Sequence, residues 1–284
     1  MRIRPNALLL CLLTFPLSAQ ADEPIVRSSS WFVGLGGSIN SVNFDQDMFA
    51  SGVGNVYKGG TLVATGGAGG PANPRQSTEL TFAPAVQLGY LARFAANDWL
   101  WGAKFLYKYP AAVATTPDID PQSGALTTIY GPDSFTGHVA IGSYRTRLNH
   151  EIAFMPIIGH SFARTYVYLG AGPALFGTET KIDNATGFAD YNGTRTNVTG
   201  TPDNFASSQW VWGGAAQIGL AYYLNQDWFL DLNYTYARSA KFASNFSAPF
   251  THTPVGYQVN GTLFVSPSQR VTDQSFTASI NRAF

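Results

Sequence analysis

Between Val86 and Tyr109 the side chains alternate in polarity on both sides of a short turn. Val86, Leu88, Tyr90, Ala92 and Phe94 share one face with Trp99, Trp101, Ala103, Phe105, Tyr107 and Tyr109. Gln87, Gly89, Leu91, Arg93, Gly102, Lys104, Leu106 and Lys108 share the other. Successive side chains on a strand point to opposite faces, so the pattern predicts a hairpin turning at Ala95-Ala96-Asn97-Asp98. A soluble sheet would bury the aromatic face. Lys, Arg and Gly opposite an aromatic wall instead fit a closed sheet with a polar lumen and an exterior that meets lipid.

Six further segments carry the same period. They run from Ser30 to Phe44, Tyr144 to Phe162, Thr165 to Thr178, Gln209 to Leu224, Trp228 to about Phe242, and Val271 to Phe284. Each reaches the ~9 to 11 residues that cross a bilayer as a tilted strand. The connections alternate in length. Ala95 to Asp98, Ala163-Arg164 and Asn225 to Asp227 are short; Asp45 to Ser77, Ala114 to Gly142, Lys181 to Ser208 and Ala243 to Ser268 are long, polar and rich in Gly and Pro. The expected fold is therefore an all-β, closed antiparallel transmembrane barrel of eight strands with short periplasmic turns and long, mobile extracellular loops. Ten strands remain an alternative if a hairpin at Asn260-Gly261, or Leu126 to Tyr130, joins the wall.

Composition narrows the class further. Charged residues make up 12% of the chain and aromatics 14%, yet after the N-terminus no apolar run approaches 18 residues, which argues against helical spans. Residues 1–21 read as a secretory signal, with Arg2 and Arg4 before an apolar stretch and Ala19-Gln20-Ala21 at the cleavage site, leaving 22–284 as one barrel domain. Removal of that segment leaves 15 Lys plus Arg against 17 Asp plus Glu, which gives no electrostatic case for nucleic acid. It also removes Cys11, the single cysteine, and with it any thiol chemistry.

The final strand, Phe276-Thr277-Ala278-Ser279-Ile280-Asn281-Arg282-Ala283-Phe284, alternates and ends in Phe. With Trp31-Phe32-Val33-Gly34-Leu35-Gly36-Gly37 and Tyr168-Leu169-Gly170-Ala171-Gly172, it resembles the OmpA-like family of small outer-membrane β-barrels. Arg282 departs from the family pattern, which has an apolar or aromatic residue there. The resemblance implies residence in the outer membrane of a Gram-negative bacterium, amid its lipid and lipopolysaccharide. It further implies that Phe276, Ile280 and Phe284 form the signal read by the barrel assembly machinery, after periplasmic chaperones carry the chain across. Trp31, Trp99, Trp101, Tyr107, Trp210, Trp212, Tyr222, Trp228, Tyr234 and Tyr236 are expected at the membrane interfaces.

Eight charged residues are assigned to the inner face as a lumenal network: Glu79, Arg93, Lys104, Lys108, Arg145, Arg147, Glu151 and Asp231. An eight-stranded interior is about wide enough for side chains alone, so this set would form either a salt-bridged plug or a gate for small ions. Lys108 with Glu151 is the pair expected on neighbouring strands. Catalysis is not indicated: His160 and Ser161 adjoin the short Ala163-Arg164 turn and point to opposite faces. His138 and His252 stand singly, and Gly66 to Gly70 lacks the Lys and helix of a phosphate loop, so neither metal nor cofactor is expected. The first functional reading is a non-enzymatic envelope barrel, with slow passage of small solutes left open. The second is a surface barrel that binds an extracellular ligand through its loops, and the third a lipid-modifying enzyme.

Overall fold

The computed structural model describes residues 29–94, 97–119, 124–128, 135–191, 193–254 and 256–284. The signal segment, and Ala95 and Ala96 of the first turn, lie outside the described residues. Eight long strands form the wall: β1 (Ser29–Lys58), β2 (Arg75–Arg93), β3 (Trp99–Lys108), β4 (Phe135–Ser161), β5 (Thr165–Tyr191), β6 (Asp203–Tyr223), β7 (Trp228–Ser239) and β8 (Tyr257–Ala283). Each pairs antiparallel with its chain neighbours, and β8 closes on β1 from Phe32↔Ala283 to Lys58↔Tyr257. Closure leaves the lower wall without a free edge.

Near the short turns the alternation behaves as expected. Trp31, Val33, Leu35 and Ile39 are exposed on β1, while Phe32, Ser38 and Asn40 are buried in the lumen. The same outward band continues through Leu88 and Trp101, Phe154 and Ile158, Leu169 and Ile218, and Leu232 and Ile280. On β1 this band ends at Ile39, although the strand has 30 residues and rises close to ~100 Å along its own axis. A hydrocarbon core is about 30 Å thick, so much of the wall stands above it.

That projection corrects the expectation of long mobile loops. Most of Asp45 to Ser77, Lys181 to Ser208 and Ala243 to Ser268 is strand, as is much of Ala114 to Gly142 among its described residues. The cause is continued alternation: Gln46, Met48 and Ala50 keep burying inward on β1 with every second residue. At Lys58-Gly59-Gly60-Thr61 the chain reverses tightly, with φ of 57° and 84° at the two glycines, and returns as Thr61–Pro71 paired to β1. Other short strands, Ala112–Ile119, Gly124–Thr128, Thr194–Asn197, Phe242–Ala243 and Phe246–His252, pair at the upper wall without entering the ring.

The ring therefore has eight strands, not ten. Asn260-Gly261 is no turn: both residues lie inside β8, opposite Asn55 and Gly54 of β1. The reversal occurs earlier, where Gly256 adopts φ 80° and the Tyr257 amide donates to the Pro254 carbonyl at 2.9 Å. Of the other candidate, Leu126 to Thr128 belong to the strand Gly124–Thr128, which pairs with Thr61–Pro71 and with β4 and so bridges the upper wall without adding to the eight-strand ring, while residues 129 and 130 lie outside the described residues.

Candidate functional site: the cross-tied lumen

β3 and β7 face each other across the ring, four strands apart in either direction. Lys104 of β3 extends over that full width. Its Nζ reaches Asp231 Oδ2 of β7 at 2.8 Å and the Tyr168 hydroxyl of β5 at 2.8 Å, with both ionic partners 1% exposed. Tyr168 donates its own proton to Asp231 at 2.9 Å. Gln87 of β2 donates to Ser279 of β8 at 2.7 Å and to Asn281. Gln217 of β6 donates to Asn233 and Thr235 of β7 at 2.8 and 2.7 Å, and Asn233 donates to Asp231. Six strands thus contribute to one layer in which the single buried cation meets a single buried anion.

A second layer lies four residues, or two pleat repeats, further along β3. Lys108 Nζ stands 2.6 Å from Asp273 Oδ2 of β8 and 2.9 Å from Glu151 Oε1 of β4, and donates to the Ser275 hydroxyl at 2.8 Å. The strand register sets Lys108 directly opposite Glu151, the pair expected from the alternation. Glu151 makes the ion pair but no aligned hydrogen bond, so it acts on Lys108 through charge, while Asp273 contributes both charge and a directed bond. Removing charges from water costs several kcal/mol per ion, and only close pairing of this kind offsets it.

A neutral third layer follows. Gln46 of β1 donates to Thr146 of β4 at 2.7 Å, and Gln269 of β8 donates to Thr180 of β5 at 2.6 Å while accepting from Tyr144 and Thr146 of β4. Apolar side chains fill the spaces below and between. Phe32 and Phe229 meet edge to face, with Tyr166 and Tyr223 against Phe229, and Leu100 and Met155 are buried in the same cluster, Met155 directly opposite Lys104. The lumen is crossed by side-chain ties at three heights.

Only half of the predicted charge set converges here. Lys104, Lys108, Glu151 and Asp231 do. Arg93 sits at the short-turn mouth, donating to the Ser161 hydroxyl at 2.9 Å. Glu79 is half-buried on β2 above the end of β3, opposite Val42 midway along β1, and accepts from Ser77 rather than joining the cluster. Arg145 and Arg147 are not lumenal, which corrects their assignment. The β4–β5 register passes from Leu148↔Thr178 to His150↔Gly177, so a bulge inserts one residue and reverses which face each later side chain takes. Thr146 and Leu148 therefore point inward, while Arg145 lies outside, 3.8 Å from Asp183.

The sequence reading omitted Asp273, Tyr168, Gln87 and Asn281 from the constellation. Counting inward positions back from Phe284 would have found most of the missing acceptors, since Asn281, Ser279, Thr277, Ser275 and Asp273 occupy every second place on β8. The ten interfacial aromatics all lie on the outer face. Trp31, Trp99, Trp101, Tyr222 and Trp228 cluster toward the short turns; Tyr107, Trp210, Trp212, Tyr234 and Tyr236 stand higher, with Tyr107 bonded to His150 at 2.9 Å. Phe276, Ile280 and Phe284 are exposed on the outer face of β8. Ser161 is buried, while His160 packs outside between Trp99 and Phe162, so the two side chains do not meet.

No protein-family model matches the chain. Outer membrane protein P1 of Coxiella burnetii is 27% identical to it over 285 residues, covering 97% of this chain and 94% of that protein. Among solved structures, OprG of Pseudomonas aeruginosa aligns at 12% identity and a TM-score of 0.38, covering 92% of this chain and 99% of its own. Neisserial surface protein A aligns at 12% identity and a TM-score of 0.29, covering 85% and 97%. A closed wall with an apolar outer band, in a chain similar along its length to an outer-membrane protein, is an outer-membrane β-barrel of a Gram-negative bacterium.

Proposed function

We propose that this chain is a non-enzymatic, OmpA-like envelope barrel whose lumen is plugged by its own side chains, and that its role is structural. The observation that carries the reading is the Lys104–Asp231 tie between opposite strands, stacked under the Lys108–Glu151–Asp273 cluster. Ties across the full diameter brace the wall and occupy the path a solute would take. In this reading the short turns face the periplasm and the tall strand ends face outward. The outer aromatics anchor the barrel at the two interfaces, and Phe276, Ile280 and Phe284 present the strand read during assembly.

The test is conductance in planar bilayers. The plug predicts no stable unitary steps from the purified, folded protein. Discrete long-lived channels from the wild type would refute it and favour a gate, in which Lys108 exchanges carboxylate partners. A gate in turn requires Lys108→Ala and Glu151→Ala to change that conductance.

A second reading, binding of an extracellular ligand, draws support from a depression of about 350 Å³ on the upper wall, where Asp118, Asn184, Thr186 and Arg195 gather beside Phe188. Binding of whole cells to immobilised host glycans or matrix proteins, lost on Arg195→Ala, would favour it.

A further inference from the structure

The outer band is not uniformly bulky. Across β4 to β7 it sinks into a groove of about 690 Å³, almost wholly apolar, floored by Ala171 and Ala216 and walled by Pro156, Ile158, Tyr234 and Tyr236. The strand register sets Ala171 beside Ala216, and Ala216 beside Tyr236, so the floor crosses two strands between taller side chains. The groove lies within the band that meets hydrocarbon, and a membrane chain is what can fill it there.

Its upper end is charged. Arg238 occupies the next outward position above Tyr236, is exposed, and is flanked across the strands by Gly214 and Thr272, neither of them acidic. Arg270 stands diagonally above on β8, beside Asp45 of β1. Lys241 follows on the same side and is paired to Asp47 at 2.6 Å. Among the described residues Arg238 has no ion-pair partner, and it sits where β8 turns polar at Thr272 and Arg270, with exposed Trp212 of β6 one outward place higher. A guanidinium at that height faces phosphate, for which its planar donors are suited.

We propose that this groove and Arg238 form a binding site for one phosphorylated lipid of the leaflet at the tall end of the barrel, with an acyl chain over Ala171 and Ala216 and a phosphate on Arg238. Taking that leaflet as the outer one rests on the orientation given above and makes the occupant lipid A in chemistry. Lipid tails are as apolar as the wall, so the groove alone gives shape but little preference. Arg238 supplies the selection.

Native mass spectrometry of the folded protein in detergent, with purified lipid A or phosphatidylglycerol added, tests this. Lipid A should be retained over phosphatidylglycerol, and Arg238→Gln should lower retention about tenfold, as expected for one lost charge-assisted bond. Ala216→Trp, which fills the floor, should lower it comparably, whereas Leu232→Trp on the same face should not. Folding of each variant is read from its heat-modifiable gel shift; should Ala216→Trp fail to fold, Arg238→Gln alone decides. Equal retention by wild type and Arg238→Gln, or preference for phosphatidylglycerol, would overturn the site. Thiol labelling of Gly59→Cys on intact cells tests orientation independently, so a wrong orientation and an absent site give different results.

Discussion

Replacing Asp231 with Leu strands the Lys104 ammonium in the centre of the barrel. In the native lumen Lys104 has one anion at 2.8 Å and one hydroxyl at 2.8 Å, and its side chain is 1% exposed, so no water substitutes for the lost carboxylate without opening the layer. Breaking a buried pair from one side costs about 3–5 kcal/mol, which shifts the folded-to-unfolded ratio by between roughly a hundredfold and a few thousandfold. Tyr168 is left with Gln217 at 3.3 Å as its acceptor, so the loss spreads to β5 and β6. The companion variant Lys104→Met/Asp231→Leu removes both charges at similar volume and should recover to within about 1 kcal/mol of wild type, or exceed it. Equilibrium urea unfolding in lipid vesicles measures both. All six tryptophans stand on the outer face and report loss of the membrane environment. The reasoning fails if Asp231→Leu alone is no less stable than the double variant.

Gly219→Ala should cost about 1–3 kcal/mol in the same assay, because a methyl there meets the Tyr168 ring and hydroxyl and forces that residue off Asp231; a neutral result would show that the ring can shift without loss. Deleting Asn149 should leave the barrel folded and heat-modifiable, since removing the inserted residue restores simple alternation with Leu148 and Glu151 still inward and Arg145 and Arg147 still outward; loss of the heat-modifiable band would refute the account of the face reversal. Phe284→Ala should leave unfolding within about 0.5 kcal/mol, being an exposed terminal position, yet reduce the amount of folded protein recovered from membranes. Unchanged recovery would remove Phe284 from the assembly signal.

What could be read directly was whatever obeys period two over an uninterrupted strand. The hairpin from Val86 to Tyr109 has the predicted inner and outer faces, and Lys108 meets Glu151 as expected. Arg145 and Arg147 were misplaced because one inserted residue near Asn149 reverses the face, and a bulge carries no compositional mark strong enough to override alternation. Asp273 and Tyr168 were missed for another reason: alternation puts both inside, but which charges they meet two or three strands away depends on the shear of the closed ring, which local patterning does not encode. The tall wall was hidden by its composition, since Gly, Ser and Thr above the apolar band resemble loop sequence until their ladder partners are known.

The seam between β1 and β8 joins the two ends of the described chain, pairing Phe32 with Ala283 and continuing to Lys58 with Tyr257. Its contacts therefore have close to the greatest sequence separation the chain allows. Loop-closure entropy must be met before such contacts return any energy, and folding slows as contact order rises. The barrel cannot close until its last strand has been synthesised and delivered. Until then β1 carries an unpaired edge along its whole length, so the interval before closure is when the chain is most exposed to mispairing with another copy. Once the seam has formed, unfolding must part a long continuous ladder, so escape from the native state is expected to be slow whatever the equilibrium stability.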